Sequence, residues 1–284
     1  MIKFSILIPT YNNLDYLKLA IKSIRENSLY HHEIILHIND GSDGTLDYVK
    51  KHNIDFTYSD SNIGLCSSIN MASKKVTTDY ILYVHDDMYL CKNWDEFLEN
   101  EIKNLDDDLF YFSGTNYESR DIDEPLNPGN SPDQFNPEYF YKFCSINKGK
   151  DLQGSHWAPH IISKRLWDIV GGFSEEFNPG DGSDPDFCMK LWISNVRIFK
   201  SIDKFKVFHF GSRTTRNKKI VKNNGTKKFL LKYGFNPKFF RKYYLKGGAN
   251  SVYDGPLTDH KISIIQSLEL FINKIKYFYY KLSS

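Results

Sequence analysis

Between residues 4 and 112, short apolar runs alternate with segments of helical period, and the runs close on Thr, Asn, Asp or Gly. Phe4–Ile8 reads as a strand buried on both faces. Leu14, Leu17, Ile21 and Ile24 then repeat at helical spacing, with Asn13 placed as N-cap. Glu33–Ile38 predicts a second strand, Thr45–Lys51 a helix and Phe56–Tyr58 a short third strand. Gly64–Lys74 predicts a helix, Tyr80–Val84 a fourth strand, Asn93–Asn104 a helix and Leu109–Phe112 a strand. This alternation predicts βαβ units and a mostly parallel central sheet flanked by helices, an α/β fold. In such open sheets, ligands bind just beyond the carboxyl ends of the strands. The residues there carry the functional reading.

Beyond Ser113 the pattern dissolves into Pro, Asn, Gly and Asp up to Lys150, a loop long enough to read as functional. Ile161–Gly172 and Asp186–Ser194 regain helical character, and Val196–Phe199 and Lys206–Phe210 read as strands. After Ser212 the composition changes. Residues 1–199 hold 18 Lys+Arg against 31 Asp+Glu, whereas residues 200–284 hold 19 against 4. A net charge of +2 over 284 residues therefore hides an acidic body and a basic tail. The tail meets either an anionic surface or the acidic body itself. The four cysteines show no CxxC spacing, so reduced thiols and a cytoplasmic setting are expected. The N-terminus lacks a signal-peptide layout, and no apolar run of spanning length occurs.

Asp86 and Asp87 follow directly on the Tyr80–Val84 run. Carboxylates at a strand end can hold a divalent cation against phosphate, although an isolated Asp-Asp also serves as a solvated turn. The other strand ends decide between these readings. The first closes on Ile8-Pro9-Thr10-Tyr11-Asn12, the second on Asn39-Asp40-Gly41-Ser42-Asp43-Gly44. Asn62-Ile63-Gly64, Asn70 and His85-Asp86-Asp87 follow. In this order the set resembles the inverting family-2 glycosyltransferases of the GT-A, Rossmann-like fold, over about residues 1–215.

The resemblance implies a nucleotide-binding half over 1–112, an acceptor-binding half over 113–215, and a basic, helical extension over 216–284. It implies a donor slot lined by Pro9, Thr10, Tyr11, Asn12, Asp40, Asn62, Gly64 and Asp86. It implies Mn²⁺ or Mg²⁺ held by Asp87, with His209 completing the metal site; a core histidine is the other reading of His209. His85 stands where relatives carry a leading Asp, as a filler or a donor contact. Gly171-Gly172-Phe173 precedes Gly182-Ser183-Asp184-Pro185-Asp186, which resembles the family's Glu-Asp-x-Asp segment, so Asp184 becomes the general base. Asp181 is its rival, and Asp186 reads as a helix-capping or structural residue. Ser183, His156 and Trp157 are implied on the acceptor and sugar side, with a core tryptophan as the alternative for Trp157.

The expected activity is metal-dependent, inverting transfer of a sugar from a nucleoside diphosphate, most simply UDP, to a glycan or lipid-linked acceptor in surface polysaccharide synthesis. GDP- or dTDP-sugars on the same scaffold are the alternative within enzymes, and a non-catalytic nucleotide- or sugar-binding module is the alternative outside them. In Lys261–Leu282, Ile264, Ile265, Leu268, Ile272, Ile275, Tyr279 and Leu282 form a helical stripe with lysines nearby. That helix reads either as an interfacial anchor on anionic lipid, placing the protein at the inner face of the cell membrane, or as a packing or oligomerisation helix. Lys and Arg interleaved with aromatics over 213–248 also suit nucleic acid, but the acidic body excludes it as a partner.

Overall fold

The structure is a computed structural model that describes residues 1–211, 223–248, 251–259 and 263–282. Among them, nine strands form one sheet, ordered β3-β2-β1-β4-β8-β6-β9-β5, with β7 paired to β9. The strands are β1 (Phe4–Tyr11), β2 (Glu33–Asn39), β3 (Asp55–Ser59), β4 (Tyr80–Tyr83), β5 (Met88–Leu90), β6 (Phe110–Tyr117), β7 (Leu152–Gln153), β8 (His160–Ser163) and β9 (Ile198–His209). β3, β2, β1 and β4 run parallel. β8 runs antiparallel to β4 and β6, so the sheet becomes mixed beyond β4.

The expected α/β architecture therefore holds, for a physical reason visible in β1. Its residues 4–10 are all buried, as an interior strand covered on both faces requires. Helix α1 (Leu14–Glu26) covers one face with Leu17, Ala20, Ile21 and Ile24, and α3 (Leu65–Ser73) buries Cys66, Ile69 and Ala72. α2 (Thr45–Lys51) and α4 (Trp94–Lys103) complete the crossovers. Strand order reverses between β1 and β4, with β2 and β3 on one side and β8 on the other. That reversal opens a crevice at the carboxyl ends of β1, β2 and β4.

Several local expectations change. Asn13 makes no side-chain cap to α1; the carboxylate of Asp43 accepts from the Leu14 N–H at 2.8 Å instead. The expected 113–150 loop contains the end of β6 and helix α5 (Pro137–Ile146), which Asn136 caps through the Glu138 N–H at 3.0 Å. Residues 160–163 form β8 rather than helix, and the Ser163 hydroxyl caps α6 (Lys164–Val170) through the Leu166 N–H at 3.1 Å. The two strands expected over 196–210 are one strand, β9. Its register against β6 jumps from Gly114↔Ile202 to Thr115↔Lys206, so the polar Asp203-Lys204 interruption is absorbed as a bulge.

Helix α7 (Ser183–Ile193) packs below β4 and β8, and α8 (Gly225–Tyr233) leans on its first turn. Phe229, Phe239, Phe240 and Leu245 join the main core, so this part of the basic extension is built into the body. The boundary expected near residue 215 lies outside the described residues. A last helix, α9 (Ile264–Leu282), ends the described chain. Every cysteine is a free thiol, and no described helix is long and apolar enough to cross a membrane.

Candidate active site

β1 ends in a turn held by side chains from β2. Asn12 and Asp40 both adopt left-handed backbone, φ 47° and 64°, a conformation costing about 1 kcal/mol per non-glycine residue. They stabilise each other, with Asn12 Nδ2 donating to Asp40 Oδ2 at 2.8 Å and to Ser42 Oγ at 3.1 Å. Tyr11 and Asp40 stay half-exposed on this rim. Pro9 lies inside the pairing of β1 with β2.

Asn39, which the sequence reading left unassigned, ties the crevice together. Its Nδ2 donates to the Thr10 carbonyl at 3.2 Å and to Ser68 Oγ at 3.0 Å, and its Oδ1 accepts from the Ile63 N–H at 2.9 Å. The Asn62–Gly64 turn is thereby pinned to β2. Asn62 Oδ1 accepts from the Gly64 N–H at 2.9 Å. Gly64 has φ +87°, and a Cβ there would lie 2.4 Å from Asn178 Oδ1, which caps the start of α3 at Cys66. Asn70 is used structurally, exchanging hydrogen bonds with the Phe173 backbone at 2.8 and 2.9 Å.

Asp86 and Asp87 leave β4 in opposite directions. Asp86 turns toward β1, where Thr10 Oγ1 donates to its Oδ2 at 2.7 Å. Burial, with the neighbouring Asp87 charge, pushes the Asp86 carboxyl up to about 7, against the pull of Thr10 and Asn13. Asp87 turns toward β9. The antiparallel register Met88↔His209 brings His209 beside it, with Nε2 3.3 Å from Asp87 Oδ1. His85 joins from the same strand end, its ring centroid 5.6 Å from that of His209. One ligand atom each from His85, Asp87 and His209 lies within 4.8 Å of the others.

These three donors fit a divalent cation. Burial and the nearby His209 hold the His85 imidazole down at about 4, so it is neutral and ready to ligate. Burial opposes charge on His209 as well, but the Asp87 carboxylate outweighs it and holds its pKa above the ordinary value. Two imidazoles and one carboxylate make a mixed nitrogen and oxygen donor set of the kind a divalent transition-metal ion takes.

Asp184 lies in the first turn of α7, and its Oδ1 is buried with no hydrogen-bond partner. Burial alone lifts its pKa to about 7. Its rival Asp181 is engaged elsewhere, its Oδ2 accepting from the Gly225 N–H at the start of α8 at 2.9 Å. Asp186 is fully buried and anchored by Tyr233 Oη and Lys232 Nζ, both at 2.8 Å. Ser183 is buried and donates to the Gly180 carbonyl at 2.7 Å, so its hydroxyl serves the turn.

Between the two acidic regions stands Tyr83, read from sequence only as part of an apolar strand. Its hydroxyl is buried and unpartnered. Burial, then Asp184, Cys66, Asp86 and Asp87, drive its pKa far up, so three carboxylates act on one phenol. His160 packs against the Tyr83 ring at 5.2 Å, and neither of its nitrogens has a partner. Trp157 is half-buried and donates to the Gly114 carbonyl at 3.1 Å, while the His156 ring bonds the Gly154 carbonyl at 2.9 Å. Both lie on the loop entering β8.

The part of this geometry from β1 to β8 lies within the stretch that a known family matches, whereas Asp184 and His209 lie beyond it. The sequence profile of "Glycosyl transferase family 2" matches residues 5–169, more than half of the chain. The chain belongs to glycosyl transferase family 2. It is also similar to an uncharacterized glycosyltransferase of Rickettsia bellii (strain RML369-C), with 29% identity over 223 residues. That match covers 75% of this chain but only 30% of the relative. Among solved structures, S. aureus TarS 1-349 superposes with a TM-score of 0.53 at 19% identity, covering 73% of this chain and 60% of that one. The same protein in complex with UDP-GlcNAc gives a TM-score of 0.56 at 15% identity over 98% of this chain and 72% of that one. Mannosyltransferase PcManGT from Pyrobaculum calidifontis, in complex with GDP-Man and Mn²⁺, gives 0.54 at 14% identity over 96% and 69%. At these identities the structural likeness speaks for the family-2 glycosyltransferase fold.

Proposed function

We propose that this family-2 protein is a metal-dependent, inverting glycosyltransferase that moves a sugar from a nucleoside diphosphate to a hydroxyl of a glycan or lipid-linked acceptor in surface polysaccharide synthesis. The observation that carries this reading is the cluster of His85, Asp87 and His209 just beyond β4, together with the Asp86, Asp87 and Asp184 carboxylates that all act on the buried Tyr83 phenol. Tyr11 and Asp40 offer a ring and a hydrogen-bond acceptor to the nucleoside, and Asp86 faces the ribose side. UDP ranks first as the nucleotide, since TarS is solved in complex with UDP and with UDP-GlcNAc. GDP is the alternative, since PcManGT is solved with GDP-Man.

His85, Asp87 and His209 would hold the cation, which when bound neutralises charge developing on the leaving diphosphate. The remaining chemistry falls to the chain itself. Asp184 Oδ1 has no internal partner, so it can accept the proton of the attacking hydroxyl. A base with a pKa near 7 is half ionised at neutral pH, where general-base catalysis is most effective. The acceptor oxygen bonds the anomeric carbon from the face opposite the diphosphate as the carbon–phosphate-oxygen bond breaks, and the configuration inverts. Asp186, clamped by Lys232 and Tyr233, fixes the turn that presents Asp184.

The test is Asp184→Asn, with nucleoside diphosphate release as readout. Donors are first screened by thermal shift with and without Mn²⁺, because ligands of the folded state raise its melting temperature. The variant should retain the donor-plus-Mn²⁺ shift and lose about 10²- to 10⁴-fold in turnover. Undiminished turnover would remove Asp184 from the mechanism, and a complete lack of nucleotide response would favour a non-catalytic module of another specificity.

A further inference from the structure

Helix α9 meets the body through Glu269, Leu270 and Asn273, and Leu270, Lys274, Tyr277 and Phe278 line a groove against Tyr233, Gly234 and Phe235. Asn273 is 4% exposed, accepts from Asn236 Nδ2 at 2.8 Å, and donates to the Glu269 carbonyl at 2.8 Å. Glu269 pairs with Lys242 Nζ at 2.8 Å and with the Tyr243 hydroxyl at 2.6 Å. The outer side carries Leu268, Phe271, Ile272, Ile275, Phe278 and Tyr279, each between 47% and 68% exposed. Their spacing makes one continuous stripe, which a packing helix would bury against its own core. An exposed apolar stripe of this extent marks an interaction surface.

The charges say what kind of surface. On a helical wheel, Lys274 and Lys276 fall on the two borders of the stripe, and Lys281 follows in the last turn. The helix has one acidic residue, Glu269, and it is turned inward and neutralised. Two copies joined through this face would bring six lysines together with no acid on the stripe to offset them. We propose that α9 lies along an anionic lipid bilayer, with its apolar stripe in the headgroup–acyl boundary and its lysines against lipid phosphates. At 19 residues the helix extends about 28 Å, and it lacks the hydropathy to span, so it lies in the plane of the interface. The proposal goes beyond the glycosyl-transfer reading and stands whichever reaction the crevice performs.

Co-sedimentation of the full chain tests it, with phosphatidylcholine vesicles against phosphatidylcholine vesicles doped with phosphatidylglycerol. The chain should pellet with the doped vesicles and be released by rising salt. Phe271→Ser/Phe278→Ser should abolish pelleting. Lys274→Gln/Lys276→Gln/Lys281→Gln should weaken it roughly a hundredfold, at about fivefold per lysine. These side chains are exposed, so an unchanged melting temperature verifies the fold of each variant. Equal pelleting with neutral vesicles, unaltered binding by either variant, or a sedimentation-velocity dimer that Phe271→Ser/Phe278→Ser dissociates without any vesicle binding would each overturn the assignment.

Discussion

Replacing Asp184 by Asn should make the protein more stable, and by an amount that depends on pH. Burial lifts the carboxyl from 3.8 to about 7. In the unfolded chain the proton leaves near pH 4; in the folded chain it stays until about pH 7. Between these values the folded state binds the extra proton, so stability falls as pH rises through the window. The span is about three pH units at about 1.4 kcal/mol each. Roughly one unit is already lost at pH 5, which leaves about 3 kcal/mol between pH 5 and pH 8. Solvent reaching the open side of the carboxylate reduces that to about 2 kcal/mol. Asn carries no such titration, and Asp86, which shifts in the same direction, is present in both proteins and cancels. Thermal melts in EDTA at the two pH values measure the difference. The gain from Asp184→Asn should be at least about 4 °C larger at pH 8 than at pH 5. An equal gain at both values would refute the burial of this carboxyl and the origin assigned to its basicity.

Two further outcomes follow from the metal and nucleotide sides. Asp87→Asn and His209→Ala should each erase the Mn²⁺-dependent part of the thermal shift, worth about 2.7 kcal/mol at a hundredfold excess over Kd, and Mg²⁺ should give a smaller shift than Mn²⁺ in the parent chain. Thr10→Val removes the 2.7 Å bond to Asp86 and should cost about 2 kcal/mol in urea unfolding at pH 8, where the carboxylate is charged, with a smaller loss at pH 5.

The half of the sheet from β1 to β4 was legible because its interior strands are uninterrupted apolar runs buried on both faces. β1 to β4 could be placed to within a few residues, and so could the strand ends that carry Thr10, Asp40 and Asp86. The stretch from β6 to β9 was harder for an identifiable reason. Its elements depend on long-range compensation: the β9 bulge takes up Asp203 and Lys204 beside a bent β6, and α5 hides in Pro- and Asn-rich sequence although Asn136-Pro137 is a sound helix start. Composition marked the basic extension as separate, yet Phe229 and Phe240 are fully buried in the shared core.

The site divides along a similar line. Asp86, Asp87 and Asp184 carry motif signals and Asn39 opens one without a role of its own, whereas Tyr83 and His160 lie within apolar strands where nothing local distinguishes them from core. Their significance comes from partners they lack or share across the sheet. The Asp-Asp pair sits in the turn between β4 and β5, and from there Asp86 reaches Thr10 of β1 and Asp87 reaches His209 of β9. A third carboxylate, Asp184, then closes on the same phenol. Three buried acids with two pKa values near 7 and several unpartnered nitrogens and oxygens are a poor way to stabilise a core. Such an arrangement is relieved by a positive charge on one side and an exchangeable proton on the other, which are what a chelated diphosphate and an incoming hydroxyl would bring.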